Sequence, residues 1–120
     1  VCKILIVEDM RIISDDIKEV VIGFGNEVIG AVANSKTAMV IAGKNNIDIA
    51  LVDINLEVDY EGIALAEKLN SEYGINIIFI SSYDEAIVKD INYEFEFLSK
   101  PYDEHKLHRL IDKIVESHKK

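Results

Sequence analysis

Few residues in this 120-residue chain have the types and spacing for chemistry, and they share one setting. Glu8–Asp9, Asp53, Ser81–Ser82 and Lys100–Pro101 each stand at or just beyond the end of a short apolar run. Brought together, the carboxylates of Glu8, Asp9 and Asp53 would repel one another strongly. A divalent cation relieves that repulsion. A semi-open set of oxygen ligands suits Mg²⁺, which keeps several waters and accepts few protein carboxylates. Lys100 supplies a point charge that pairs with an anion, and a serine hydroxyl can donate to the same group. Alternation along a strand lets only one of Ser81 and Ser82 face such a site.

Positioning these groups falls to the runs that precede them. Lys3–Val7, Glu27–Val32, Asp48–Val52, Asn76–Ile80 and Phe95–Leu98 are rich in Ile, Val and Phe, which suit the pleated surface of a strand. Their continuous apolarity predicts burial on both faces, as in a parallel sheet covered by helices. Helical stripes alternate with them: Ile13, Ile17, Val20, Val21 and Phe24, then Ala38, Ile41 and Ala42, then Ala66, Leu69 and Tyr73. The cleanest stripe is Leu107, Leu110, Ile111, Ile114 and Val115, with His105 and His108 expected to be solvated on the same helix. Gly23 and Gly25 bracket the end of the first helix, and Gly74 follows the third. Asn34–Ser35 and Asp103 supply caps. Strands alternating with helices indicate a doubly wound α/β fold with right-handed crossovers. In such folds ligands bind outside the carboxyl ends of the strands, where the polar residues above are placed.

Composition narrows the function classes. The chain is 49% hydrophobic and 29% charged, the balance of a globular domain rather than a disordered tail. No apolar run approaches the ~20 residues that span a bilayer, so a cytoplasmic protein without membrane contact is expected. Lone Cys2 excludes a disulfide scaffold or a Cys-rich zinc site. A net charge of −9 argues against direct nucleic-acid binding by this domain.

The acidic pair, the strand-ending aspartate, the hydroxyl and the Lys–Pro pair stand in an order that resembles the receiver domain of two-component response regulators. The resemblance runs from Lys3 to about Ser117, essentially the whole chain. It implies a flavodoxin-like (CheY-like) five-stranded parallel sheet of order 2-1-3-4-5 with five helices, occupying residues 1–120 as a single domain. It also implies that Asp53 is the nucleophile that takes a phosphoryl group from a phosphohistidine. Asp9, Asp53 and the backbone carbonyl of Asn55 would ligate Mg²⁺, and Glu8 would hold a metal-bound water. Lys100 would neutralise phosphoryl oxygens, and Ser81 would donate its hydroxyl to the phosphoryl group. Phe97, three residues before the lysine, is either the aromatic that follows Ser81 in the switch or plain core. Asn55 and Tyr83, two positions after Asp53 and Ser81, match places that tune dephosphorylation in the family. The implied partners are a sensor histidine kinase or phosphotransfer protein, and a downstream effector domain or protein. The only turnover implied is phosphorylation and dephosphorylation of the chain itself. A stand-alone regulator, a phosphate shuttle and a domain of a longer regulator or hybrid kinase are all open, and the start at Val1 rather than methionine favours the last.

Departures from the family pattern concentrate in two places. The loop after Asp53 carries Glu57 where proline is usual, and its glycine, Gly62, comes one position late. With Ile54, Leu56 and Glu61–Gly62–Ile63, this is close to a variant seen beside sensor or hybrid histidine kinases. Ser81 and Lys100 are 19 positions apart, where many members have about one helical turn more. The fourth helix, near residues 84–91, is therefore expected to be short or irregular, and Tyr93–Glu94 replaces a small pair.

Other functions fit less well. An aspartyl phosphatase needs a second carboxylate two positions after its nucleophile, and Asn55 cannot transfer a proton there. A mononucleotide binder needs a Gly/Ser/Thr-rich loop after the first strand, which reads Glu8, Asp9, Met10 and Arg11 instead. A pseudo-receiver that binds partners without phosphorylation stays open as the alternative.

Overall fold

The computed structural model describes residues 2–56 and 58–118. The expectation at Glu57 therefore lies outside the described residues. Five strands form one sheet: β1 (Lys3–Val7), β2 (Glu27–Val32), β3 (Ile49–Asp53), β4 (Asn76–Ser81) and β5 (Phe95–Ser99). Every pairing is parallel and the order is 2-1-3-4-5. Four helices connect or follow them: α1 (Arg11–Gly23), α2 (Ser35–Lys44), α3 (Glu61–Tyr73) and α4 (Glu104–Ser117).

The period of two along each strand separates two cores. Leu5, Val7, Ala50, Val52, Ile77 and Phe79 face α2 and α3, where Ala38, Ala42, Leu65 and Leu69 meet them. Ile4, Ile6, Ile49, Leu51, Ile78 and Ile80 face α1 and α4, against Ile17, Val21, Leu107 and Ile111. Burying each large aliphatic side chain of this kind contributes about 1.5–3 kcal/mol, which is why strand positions tolerate little slippage. β2 departs from the expected two-sided burial: it is an edge strand, half-exposed along its length.

Caps follow the sequence closely. The Asn34 side chain accepts from the Thr37 N–H at 2.9 Å, and Asp103 accepts from His105 and Lys106. Gly74 closes α3 in the left-handed conformation that glycine adopts without Cβ strain.

The five-helix expectation needs correction. Between β4 and β5 stands only a single 3₁₀ turn, Glu85–Val88, capped by Asp84. The short spacing leaves too few residues for a full crossover helix, and the segment closes by tight bonds from Lys89 N–H to Ala86 and Ile91 N–H to Val88. Tyr73 also leaves its stripe and is 43% exposed. His108 is half-buried rather than solvated: it stacks on Phe24 with ring centroids 4.2 Å apart, because α4 packs this face toward α1. Among the described residues, no helix is long and apolar enough to cross a membrane.

Candidate functional site

Parallel strands all deliver their carboxyl ends to one edge, and the register decides which polar residues meet there. Val7 pairs with Val52 and Asp53 with Ile80, so the residues after β1 come level with the end of β3. Carboxylate oxygens of Glu8, Asp9 and Asp53 lie within 4.8 Å of one another. Glu8 and Asp53 are buried, whereas Asp9 is exposed at the rim.

Lys100 closes the group from β5. Its ammonium donates to Glu8 Oε1 and to Asp53 Oδ2, each at 2.9 Å. The Lys100 N–H donates to the Ser81 carbonyl at 2.8 Å, and the Lys100–Pro101 peptide is cis. The remaining oxygens are also occupied: Glu8 Oε2 accepts from the Met10 N–H, and Asp53 Oδ1 from the Asn55 N–H at 3.0 Å. Burial, followed by the neighbouring Asp53 carboxylate, pushes Glu8 up to about 7 against the pull of Lys100. For Lys100, burial works to lower its pKa, but its hydrogen bonds to Glu8 and Asp53 outweigh that and hold the ammonium above its ordinary value. One ammonium thus serves several acidic groups. The hard oxygen donor set, open on the Asp9 side, suits a hard divalent cation.

The close approach of α3 to β3 rests on Gly62. A Cβ there would stand 1.9 Å from the Asp53 carbonyl oxygen, and the Gly62 N–H donates to the Ile54 carbonyl at 2.9 Å. The glycine recognised in the sequence as part of a loop pattern therefore lets a helix begin directly against the strand that carries Asp53.

Of the serine pair, Ser81 is the buried member at 1% exposure, and Ser82 is exposed. Ser81 Oγ accepts from the Tyr83 N–H at 2.9 Å, leaving its own proton for another acceptor. Phe97 does not join the polar cluster. It is buried in the core facing α3, beside its register partner Phe79 and on the face to which Ser81 points. Asn55 and Tyr83 do meet: Asn55 Nδ2 donates to the Tyr83 hydroxyl oxygen at 2.7 Å.

Two neighbouring contacts escape sequence reading. Tyr60 adopts φ 64°, left-handed backbone that is uncommon for a bulky residue, and its N–H donates to Asn55 Oδ1 at 2.9 Å. Its ring lies 5.5 Å from that of Tyr83. Glu61, noted in the sequence only as part of a motif, accepts from the Val58 N–H and from both the N–H and hydroxyl of Ser35. The Ser35 hydroxyl bond, with the two backbone bonds, holds its carboxyl below the usual range against the opposing effect of burial. No periodicity announces a left-handed tyrosine, nor a bond between residues 26 positions apart.

Comparison with known proteins agrees with this geometry. The family profile of the response regulator receiver domain matches residues 4–112. The chain is 31% identical over 102 residues to the phyllosphere-induced regulator PhyR of Methylorubrum extorquens, covering 83% of this chain and 38% of that protein. It spans at most 49% of the curated relatives it matches. The signal receiver domain of a modulated diguanylate cyclase from Desulfovibrio desulfuricans superposes with a TM-score of 0.88 at 31% identity, covering 98% of this chain and 95% of that one. The anti-anti-sigma factor PhyR from Bartonella quintana superposes with a TM-score of 0.84 at 25% identity, covering 95% of this chain and 47% of that one.

Proposed function

This chain belongs to the response regulator receiver domain family, and on that premise we propose that Asp53 accepts a phosphoryl group from a phosphohistidine. The donor is a sensor histidine kinase or a phosphotransfer protein. The observation that carries the reading is the Lys100 ammonium, bonded at 2.9 Å to both Glu8 and Asp53 with Asp9 alongside.

An Asp53 carboxylate oxygen forms the new bond to phosphorus while the phosphorus–nitrogen bond of the donor breaks, its electron pair staying on the imidazole. There is little covalent chemistry for the protein to perform, so its contribution is positioning and charge. Asp9, Asp53 and the Asn55 backbone carbonyl would hold Mg²⁺, and Glu8 would hold a water on it. When bound, the cation neutralises charge on the transferring oxygens. Lys100 holds the Asp53 carboxylate in place and presents a second positive charge at the point where phosphoryl oxygens arrive. Ser81 is oriented by the Tyr83 N–H and has a free proton to donate to the new group.

A dianionic group at Asp53 then changes what surrounds it. Ser81 and Phe97 share one sheet face, so displacement of the hydroxyl reaches Phe97 through the packed β4–β5 pair. Phosphodonor contact falls to the rim beside the site, where Met10 and Ile12 are exposed. On the output side a protein or an attached domain suits the −9 charge better than nucleic acid. A protein partner also accords with the anti-anti-sigma description of one relative. We read residues 1–120 as one receiver domain acting in the cytoplasm.

The test is intact-protein mass after incubation with a small phosphodonor, with and without Mg²⁺, on the parent and on Asp53→Asn. A single Mg²⁺-dependent phosphoryl addition that the variant lacks is expected. Retained addition in the variant would move the acceptor elsewhere. A parent that takes up none, from the small donor or from a phosphohistidine protein, would favour a partner-binding module.

A further inference from the structure

The loops after β3 and β4 are joined directly above the acidic site, and the join has a third member that the phosphorylation chemistry leaves unused. Asn55 has both ends of its carboxamide occupied: Nδ2 by the Tyr83 hydroxyl at 2.7 Å and Oδ1 by the Tyr60 N–H at 2.9 Å. Each loop is also tied to a site side chain, Asn55 through its N–H to Asp53 Oδ1 and Tyr83 through its N–H to Ser81 Oγ. The rings of Tyr60 and Tyr83 lie 5.5 Å apart, tilted by 36°. Tyr60 reaches both partners only because its backbone is left-handed, with φ 64°. That conformation aims its N–H back at Asn55 and its ring toward Tyr83.

We propose that Tyr60 is a positioning residue that holds the Asn55–Tyr83 contact shut beside Asp53 and so slows hydrolytic loss of the phosphoryl group. The inference rests on the phosphoacceptor reading above. In hydrolysis a water oxygen bonds to phosphorus and the bond between phosphorus and the Asp53 oxygen breaks. The electron pair stays on the carboxylate; one proton remains on the released phosphate and the other passes to solvent. A side-chain amide near the acceptor orients that water when it is free to turn toward it. In the closed latch both ends of Asn55 are pinned by other partners, and the two rings stand over the approach from the β3 and β4 loops. Releasing Tyr60 frees Oδ1 and uncovers the approach.

The experiment phosphorylates the parent, Tyr60→Gly and Tyr60→Phe with a small phosphodonor and Mg²⁺, removes the donor, and follows loss of the phosphoryl group by intact mass. Glycine suits a positive φ, so the first variant removes the ring without straining the backbone. Tyr60→Gly keeps the N–H but loses the ring that holds Tyr83, and should lose the group about fivefold faster, the factor that corresponds to the ~1 kcal/mol of an aromatic pair. Tyr60→Phe keeps the ring and the N–H and should match the parent. Backbone amide exchange supplies a readout independent of phosphorylation: the Tyr60 N–H should be protected in the parent and exposed in Asn55→Ala. Parental hydrolysis in Tyr60→Gly, fast hydrolysis in Tyr60→Phe, or an unprotected Tyr60 amide in the parent would each overturn the latch. Absence of any Asp53-dependent addition in the parent would overturn the phosphoacceptor reading, and with it the role of the latch. That pattern differs from an intact acceptor with unchanged hydrolysis.

Discussion

The strand-end site and the segment between β4 and β5 lie next to each other but are built on different principles. At the site, Glu8, Asp53 and Ser81 end or follow strands that are almost wholly buried: β1 from Ile4 to Val7, all of β3, and β4 from Ile77 onward; Lys100 follows β5, anchored by buried Phe97 and Leu98. The segment from Tyr83 to Glu94 has only Val88 fully buried, held by one 3₁₀ turn. It even leaves the half-buried Tyr93 hydroxyl without a partner among the described residues, with burial pushing it up to about 12. The difference teaches where this domain can afford to move. Rigid strands preserve the distances between Glu8, Asp53 and Lys100, while a weakly packed turn at the next crossover offers a surface that can change when the site does.

Four substitutions and one amide-exchange measurement would sharpen or break that contrast. The largest effect belongs to Phe79→Ala, which empties a fully buried position under the site and should cost about 4 kcal/mol in urea unfolding. A cost below about 1 kcal/mol would mean that the strands are not the rigid part. Next comes Gly62→Ala. Its Cβ would collide with the Asp53 backbone, so a loss of about 3 kcal/mol is expected together with weaker phosphoryl uptake. Uptake at the parental rate would show that α3 can retreat without disturbing Asp53.

Ile87→Ala, half-buried on the 3₁₀ turn, should cost only about 1 kcal/mol. Amides of residues 84–91 should also exchange through local opening, well ahead of those of β4. Equal protection of the two would erase the comparison. The smallest effect is that of Glu61→Gln. The folded state holds the Glu61 carboxyl below its ordinary value of 4.5, so its contribution is present above pH 4.5 and is lost as the pH falls through the lowered value. The stability gap between parent and variant should therefore be open at pH 7 and close in acid; a gap that widens in acid would contradict the Ser35 contact as its source.

Legibility follows the same division. Runs such as KILIV and NIIFI announce strands because burial on both faces requires unbroken apolarity, and the polar residue that ends each run is then placed at the carboxyl edge. Alternation permits only one inward side chain of the serine pair, the resemblance to the receiver family selects Ser81, and Ser81 is the buried one. The missing crossover helix was foreshadowed by the short spacing before Lys100, but its replacement by a 3₁₀ turn depends on how Val88 and Ile91 pack. Tyr60 was invisible: its role follows from a backbone conformation that its side-chain type disfavours, imposed by partners on two other segments.

The sequence by itself determined the alternation of strands and helices, the caps at Asn34 and Asp103, and the set of residues that reach the site, because these depend on local periodicity and on burial. Only the tertiary structure decided which of them touch. Lys100 bonds Glu8 across 92 positions and Asn55 bonds Tyr83 across 28, and such contacts exist only once the parallel register has aligned the strand ends.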